Sequence, residues 1–263
     1  MNIKKKTKII TLLLVLISCL LFYRFKLNIE PIEKKQEIKT IDYNWSKEEF
    51  LKNYELNHDY AGNIRFESGL INLPFVQAID NLKYLRRDWI SGKYKEEGSV
   101  FMDSECNIDS YNITLYGHYV YPSLDPLGKE MFTPLHQLLD EEAFNKHKFL
   151  ELLLKDEIRK YEISAVYFVP LVIDEDGYYY TEDDMQYYLN DFRLRGEEYL
   201  NDYKEAIVRA VSNNGGFSFI DSGVDFDLND HLLTLQTCVR NREDLRLIVV
   251  SKEIERIKKN NIK

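Results

Sequence analysis

Residues 232–250 read LLTLQTCVRNREDLRLIVV, and this stretch decides the fold. Two apolar runs rich in leucine and β-branched residues, 232–238 and 245–250, lie on either side of a charged connection. Such runs are typical of β-strands. If the two strands pair as an antiparallel hairpin, Cys238 at the end of the first strand and Arg246 at the start of the second lie at the same end of the sheet.

Further short apolar runs, interrupted by glycine and proline, predict more strands upstream. These runs are 64–66, 70–77, 100–102, 113–117 and 161–173. Apolar residues at helical spacing predict helices over 46–56, 130–155 and 182–212, with Gly196 as a break in the last and a strand as the alternative for 150–154. Together these elements predict a mainly β fold with helices inserted between strands, most simply a closed barrel.

The charge of the chain is unevenly distributed. The 263 residues include 35 Lys+Arg and 44 Asp+Glu, which gives a net charge of −9. Residues 1–29 contain six basic residues and no acidic one, so the remainder holds 29 basic and 44 acidic residues and has a net charge of −15. An acidic chain argues against nucleic-acid binding, which requires a cationic surface.

The amino terminus has the pattern of an export signal. Four lysines within residues 4–8 precede an uncharged run of fifteen residues, Ile9–Tyr23. Three interpretations stay open: an uncleaved signal-anchor helix, a lipoprotein signal in which Leu16–Cys19 acts as a lipobox, and a cleaved signal peptide. The signal-anchor is favoured because no small-x-small cleavage site is present and the apolar run continues past Cys19. It predicts a single-pass protein of the cell membrane with its main domain on the extracellular face.

Composition then divides the chain. The predicted segments are a basic and membrane-spanning part at 1–27, a polar linker at 28–44, an extracellular domain at 45–252 and a basic tail at 253–263. Cysteine is sparse, with only Cys19, Cys106 and Cys238. A single Cys106–Cys238 bridge would be a weak framework for this length, whereas a lone thiol in an exported chain is a candidate nucleophile.

Three residue types at predicted strand ends form a chemically coherent set. Cys238 supplies a thiolate, His118 follows the strand ending at Gly117, and Arg246 opens the last strand. A nearby cation lowers the pKa of a thiol, an imidazole protonates a leaving amine, and a guanidinium holds a developing oxyanion. Taken alone, each of these residues is more often a buried or solvated structural side chain.

The motifs around these residues resemble those of class B sortases, the cysteine transpeptidases of Gram-positive cell surfaces. Thr234–Cys238 is similar to their TLxTC signature, Tyr116–His118 to their YGH segment, and Arg246–Val250 to the strand that begins with their essential arginine. Upstream, the ordered segments Pro74–Gln77, Asp80–Asn81, Tyr84–Leu85 and Gly98–Asp103 also match. The long helical stretch at 182–212 is similar to the class B insertion before the cysteine strand.

The resemblance implies an eight-stranded β-barrel with added helices and no metal or other cofactor. Cys238 would attack the threonine carbonyl of a sorting motif in a secreted surface or pilin protein, giving a thioacyl-enzyme. His118 would act as general acid and then base, and Arg246 would support the oxyanion. Asn81, Leu85 and Thr237 match family residues that line the substrate groove.

The acceptor of the acyl group stays open. The resemblance implies a peptidoglycan cross-bridge amine, but residues 119–128 form a longer loop after His118 than class B members have, so a pilin lysine is the alternative. Gln236 also replaces the usual serine. A hydrolase and a non-catalytic membrane-tethered binding domain are further alternatives. Among the nearby arginines, Arg246 is preferred because a strand places a side chain more accurately than a loop does.

Overall fold

The computed structural model of the chain describes residues 47–170, 172–173, 179–180, 196–213, 219–220 and 225–258. Strands dominate these residues. The strands are β1 (Tyr60–Phe66), β2 (Asn72–Val76), β3 (Val100–Met102), β4 (Asn112–Tyr116), β5 (Phe149–Leu153), β6 (Glu157–Pro170), β7 (Val172–Ile173), β8 (Tyr179–Tyr180), β9 (Phe219–Ile220), β10 (Leu232–Val239) and β11 (Arg242–Lys258). The helices are α1 (Lys47–Leu56), a 3₁₀ helix (Thr133–Leu139), α2 (Glu141–Lys146) and α3 (Glu197–Asn213).

Eight of the strands form a closed barrel. Their order is β11-β10-β4-β3-β2-β1-β5-β6, and β6 pairs back onto β11. The β2–β3 and β4–β10 pairs are parallel, and the other neighbouring pairs are antiparallel. The predicted eight-stranded barrel with inserted helices is therefore confirmed.

Alternation along β10 and β11 separates the inside of the barrel from its outer surface. Leu233 and Leu235 of β10 pack with residues of the other strands in the main core. Ile248 and Val250 of β11 belong instead to a second buried cluster, which includes the buried face of α3. Because side chains alternate along a strand, Cys238 lies on the face of β10 opposite to Leu235, which is the outer face. On β11, Arg246 shares the outer face with Ile248.

The predicted helix over 130–155 is divided in the structure. A 3₁₀ helix with Pro134 in its first turn ends at Leu139, and Asp140 then begins α2 by accepting a hydrogen bond from the backbone N–H of Ala143 at 2.9 Å. The run after residue 148 is strand β5, which is buried between β1 and β6. An apolar run of this length fits either a helix or a strand, and pairing with two neighbours decides for the strand.

The connection between β10 and β11 is shorter than the sequence predicts. Only Arg240 and Asn241 separate the strands, and Asn241 has a positive φ of 57°. The register shifts between Cys238 and Val239, so a bulge takes up the remaining residues of the expected connection. At its other end, β11 pairs with β6 as far as Lys258, beyond the predicted end of the domain at 252.

The predicted location in the cell membrane is wrong by the test that the structure provides. None of the helices in the described part of the chain is long and apolar enough to cross a bilayer. The segment 9–23, on which that prediction depended, lies outside the described residues, as do the whole predicted linker and the first half of the helix predicted over 182–212. The second half of that helix is α3, which begins after Gly196.

Candidate active site

The β10–β11 hairpin brings a thiol and a guanidinium together. Cys238 and Arg246 are direct partners in the antiparallel register. Directly opposed residues have Cβ atoms about 4.5–5.5 Å apart and project from the same face of the sheet. Both side chains are partly exposed, so a substrate can reach them.

The parallel pair β4–β10 places His118 at the same end of the barrel as Cys238. Tyr116 of β4 is the register partner of Gln236 of β10, and the N–H of Gly117 donates to the Gln236 carbonyl at 3.1 Å. His118 follows Tyr116 by two residues, just past the end of β4, and Cys238 follows Gln236 by two residues within β10. The parallel register therefore extends the alignment of the two strands to the imidazole and the thiol.

All three side chains line one cleft of about 290 Å³. The walls of this cleft also include charged, aromatic and aliphatic side chains that sequence reasoning did not identify as site residues. These are Arg86, Glu96, Glu97, Tyr119, Tyr121 and Leu124. Tyr121 and Leu124 belong to the loop over 119–128 after His118, so this loop forms part of the cleft wall.

A backbone carbonyl fixes the orientation of His118. Its Nε2 lies 2.8 Å from the carbonyl oxygen of Leu85. A carbonyl only accepts, so Nε2 carries the proton and Nδ1 is the basic nitrogen of the neutral ring. Burial lowers the pKa of His118, and the charge of Arg86 adds to this effect. The neutral imidazole is therefore the main form at neutral pH.

Gly98 accounts for the position of that carbonyl. It has a φ of 60°, and a Cβ at this residue would lie 2.6 Å from the carbonyl oxygen of Tyr84 and closer still to that of Leu85. The backbone N–H of Ser99 donates to the Tyr84 carbonyl at 3.0 Å. Only glycine permits this close approach of two backbone segments, so Gly98 helps to present the Leu85 carbonyl to His118.

The two described cysteines differ in environment. Both are free thiols, so they form no disulfide with each other. Cys106 is buried, its Sγ lies 3.7 Å from the carbonyl oxygen of Asn112, and burial raises its pKa to about 12. A buried neutral thiol is chemically inert at physiological pH. Cys238, which lines the cleft, is therefore the candidate nucleophile.

The three residues expected to line the substrate groove lie around the cleft rather than in its wall. The side-chain amide N–H of Asn81 donates to the carboxylate of Asp103 at 3.0 Å, and its amide oxygen accepts from the backbone N–H of Ser104 at 2.8 Å. Both polar atoms of the Asn81 amide therefore bind the segment at 103–104. Leu85 packs in a buried cluster and contributes its carbonyl to His118. Thr237 is buried beside Cys238. Substrate contact by these residues stays a prediction.

A second histidine contacts the backbone of the nucleophile. The Nε2 of His136, in the 3₁₀ helix, lies 3.0 Å from the carbonyl oxygen of Cys238. The sequence provides no signal for this contact, because 102 residues separate the two positions and no motif links them. Within the described residues, no group of three His, Cys, Asp or Glu side chains has a geometry that could hold a metal ion.

Comparison with known proteins adds an independent line of evidence. No family model and no curated protein matches the sequence. Among solved structures, Clostridium perfringens sortase B has 28% identity and a TM-score of 0.60 over 78% of this chain and 99% of its own. A Bacillus anthracis protein described as similar to sortase B has 26% identity and a TM-score of 0.56, over 80% of this chain and 83% of its own.

A Staphylococcus aureus sortase B–substrate complex shares the fold, with 22% identity and a TM-score of 0.62, over 81% of this chain and 87% of its own. A further sortase B neighbour, at 23% identity, was solved in complex with triglycine. The barrel topology, the ordered motifs and the C. perfringens and B. anthracis matches agree. The chain therefore has the fold of the class B sortases, and these matches support an enzyme of the sortase transpeptidase family.

Proposed function

We propose that this enzyme cleaves a sorting motif after threonine and transfers the acyl group to an amine, joining secreted proteins to a peptidoglycan cross-bridge. The observation that carries the proposal is that Cys238, His118 and Arg246, which come from three separate parts of the barrel, line one cleft. The substrate complex and the triglycine complex of the sortase B neighbours support a peptide donor and an amine acceptor.

In the first half of the reaction the Cys238 thiolate attacks the threonine carbonyl carbon. The carbonyl oxygen becomes an oxyanion, which the positively charged guanidinium of Arg246 stabilises. His118 gives a proton from Nδ1 to the departing nitrogen, the C–N bond breaks, and a thioester on Cys238 remains.

The second half reverses these roles. The acceptor amine attacks the thioester carbonyl, neutral His118 takes the proton from the attacking nitrogen at Nδ1, and the Cys238 thiolate leaves as the amide forms. The lowered pKa of His118 favours this base role at neutral pH. It also means that the thiolate–imidazolium pair needed for the first half is a minority species.

Mass spectrometry of the purified full chain, incubated with a panel of sorting-motif peptides, tests the reaction. We expect an acyl adduct on Cys238 that converts to an amide when triglycine is added. Cys238→Ala should give neither product. If no peptide yields an adduct, the enzyme does not carry out this chemistry; if only free acid forms with abundant amine, it is a hydrolase.

The arginine assignment has a matched control in the same hairpin. Arg242 forms an ion pair with Asp244 at 2.7 Å on the protein surface, whereas Arg246 lines the cleft. We expect Arg246→Ala to abolish adduct formation and Arg242→Ala to leave it intact. A blocked lysine peptide offered beside triglycine distinguishes a pilin-type acceptor from the cross-bridge amine.

A further inference from the structure

One short segment bonds the backbone of both proposed catalytic residues. The N–H of Phe132 donates to the carbonyl oxygen of His118 at 3.1 Å. Four residues later, His136 Nε2 lies 3.0 Å from the carbonyl oxygen of Cys238. We refer to residues 132–136 as the clamp segment, because its two ends hold two strand ends that the barrel brings side by side.

The clamp segment is part of the core and therefore a rigid support. Phe132 and Leu135 are fully buried in the main cluster. The ring of Phe132 packs so closely on Gly117 that a Cβ there would lie 2.6 Å from its Cγ. Thr133 accepts a hydrogen bond from the N–H of Val120 at 2.8 Å. The segment is thus attached to both sides of His118.

The contact made by His136 has a defined direction. The Cys238 carbonyl only accepts, so Nε2 of His136 is the protonated nitrogen and donates. The ring also meets Tyr119 edge-on, with centroids 4.8 Å apart, and Tyr119 lines the cleft beside His118. His136 therefore contacts the nucleophile's backbone on one side and a cleft wall on the other.

We propose that His136 is a positioning residue for Cys238. The pairing of β10 with β4 ends at Gln236, whose carbonyl accepts from the N–H of Gly117, so this ladder stops two residues before Cys238 and does not hold its carbonyl. The hydrogen bond from His136 supplies that restraint and keeps the thiol aligned with His118 and Arg246. The inference rests on the proposed role of Cys238 as nucleophile, and it extends that role to a residue outside the cleft wall.

Three substitutions separate positioning from a merely structural role. His136→Gln keeps a side-chain N–H at about the reach of Nε2, His136→Asn keeps the amide but is too short, and His136→Phe keeps a ring without a donor. His147 is the control: it is also buried, bonds Ser68 at 2.6 Å, and makes none of the contacts of the cleft. His147→Phe removes a buried histidine without touching Cys238.

The readouts are kcat and KM for amide formation, the thermal midpoint, and the rate at which iodoacetamide alkylates Cys238. A displacement of about 1 Å costs about 100-fold in rate. We expect His136→Phe and His136→Asn to lower kcat about 10- to 100-fold with KM changed less than about twofold, and to alter the alkylation rate. His136→Gln should restore most of both, and His147→Phe should lower the thermal midpoint without changing kcat.

Equal loss in the Gln and Asn variants would overturn the proposal, as would a kcat loss in His147→Phe as large as that in His136→Phe. If His136→Phe does not fold, the Gln–Asn comparison decides alone. Alkylation needs neither peptide nor amine. A wild-type enzyme that transfers no acyl group would therefore refute the proposed function, while the difference in alkylation between the variants would still decide whether His136 positions the thiol.

Discussion

Replacing Gly117 by alanine tests how closely the fold must hold His118. The added Cβ would lie 2.6 Å from Cγ and 2.7 Å from Cδ2 of Phe132, whereas carbon atoms pack best at about 3.5–4.0 Å. The ring or the strand end must therefore move by about 1 Å. Phe132 is fully buried, so the ring has no free space to move into.

Movement on either side is transmitted to the imidazole. The N–H of Phe132 bonds the His118 carbonyl, and His118 is the next residue after Gly117. Overpacking of this kind costs about 1–3 kcal/mol of unfolding free energy, or about 2–9 °C in thermal midpoint at this size. A misplacement of about 1 Å in a catalytic group costs about 100-fold in rate. We expect Gly117→Ala to show both effects.

The assay is the initial rate of amide formation by the full chain at saturating peptide, beside its thermal midpoint. Gly69 is the control: it has a φ of 78°, and a Cβ there would meet no atom within 4 Å. Gly69→Ala therefore adds about 1–2 kcal/mol of backbone strain without a clash, and should destabilise the fold while leaving the rate unchanged. A Gly117→Ala enzyme with the wild-type rate would refute the reasoning.

Three further outcomes are expected. Gly98→Ala should push the Leu85 carbonyl away from His118, and the pH profile of Cys238 alkylation should then match that of His118→Ala; a wild-type profile would contradict it. Burial lowers the pKa of three histidines (His118, His136 and His147) below 6.5, so the unfolded chain takes up protons first. Denaturant unfolding should accordingly show full stability above about pH 6.5 and a decline as the pH falls towards the folded pKa values, less steep in His147→Phe; a flat profile would be inconsistent. Iodoacetamide should label Cys238 but not Cys106 in the native protein, as peptide mapping can show, and Cys106→Ala should retain acyl transfer.

The sequence predicts the β10–β11 hairpin well because one physical rule, the alternation of side chains along a strand, determines its main features. Alternating side chains on two adjacent strands determine which residues share a face of the sheet. The pattern therefore predicts that Cys238 and Arg246 lie at the same end of the sheet, and in the structure they are direct partners in the register. The preference for Arg246 over Arg242 agrees with the ion pair that holds Arg242 at the surface.

The errors occur where local pattern allows two structures. The run over 149–153 is apolar at nearly every position, so it has neither a clear helical nor a clear strand period. Its two edges pair with β1 and β6, and those partners are distant in sequence. Likewise, the tight turn at Arg240–Asn241 depends on extra residues of β11 between Arg242 and Arg246, and no residue in the connection predicts this bulge.

In the candidate site, too, some residues can be predicted from the sequence and others cannot. Residues that take part in the chemistry are recognisable by type, since few side chains can serve as nucleophile, proton carrier and oxyanion partner. Residues that hold them are ordinary: a leucine carbonyl for His118, a glycine that lets two backbones meet, and a histidine that bonds a carbonyl 102 residues away. Such contacts are made by the backbone or across the barrel, so they leave no spacing in the sequence. Substitutions in the clamp segment and in the loop over 119–128 can therefore leave the three reactive groups unchanged, and changes in rate and acceptor choice are expected to map to those segments.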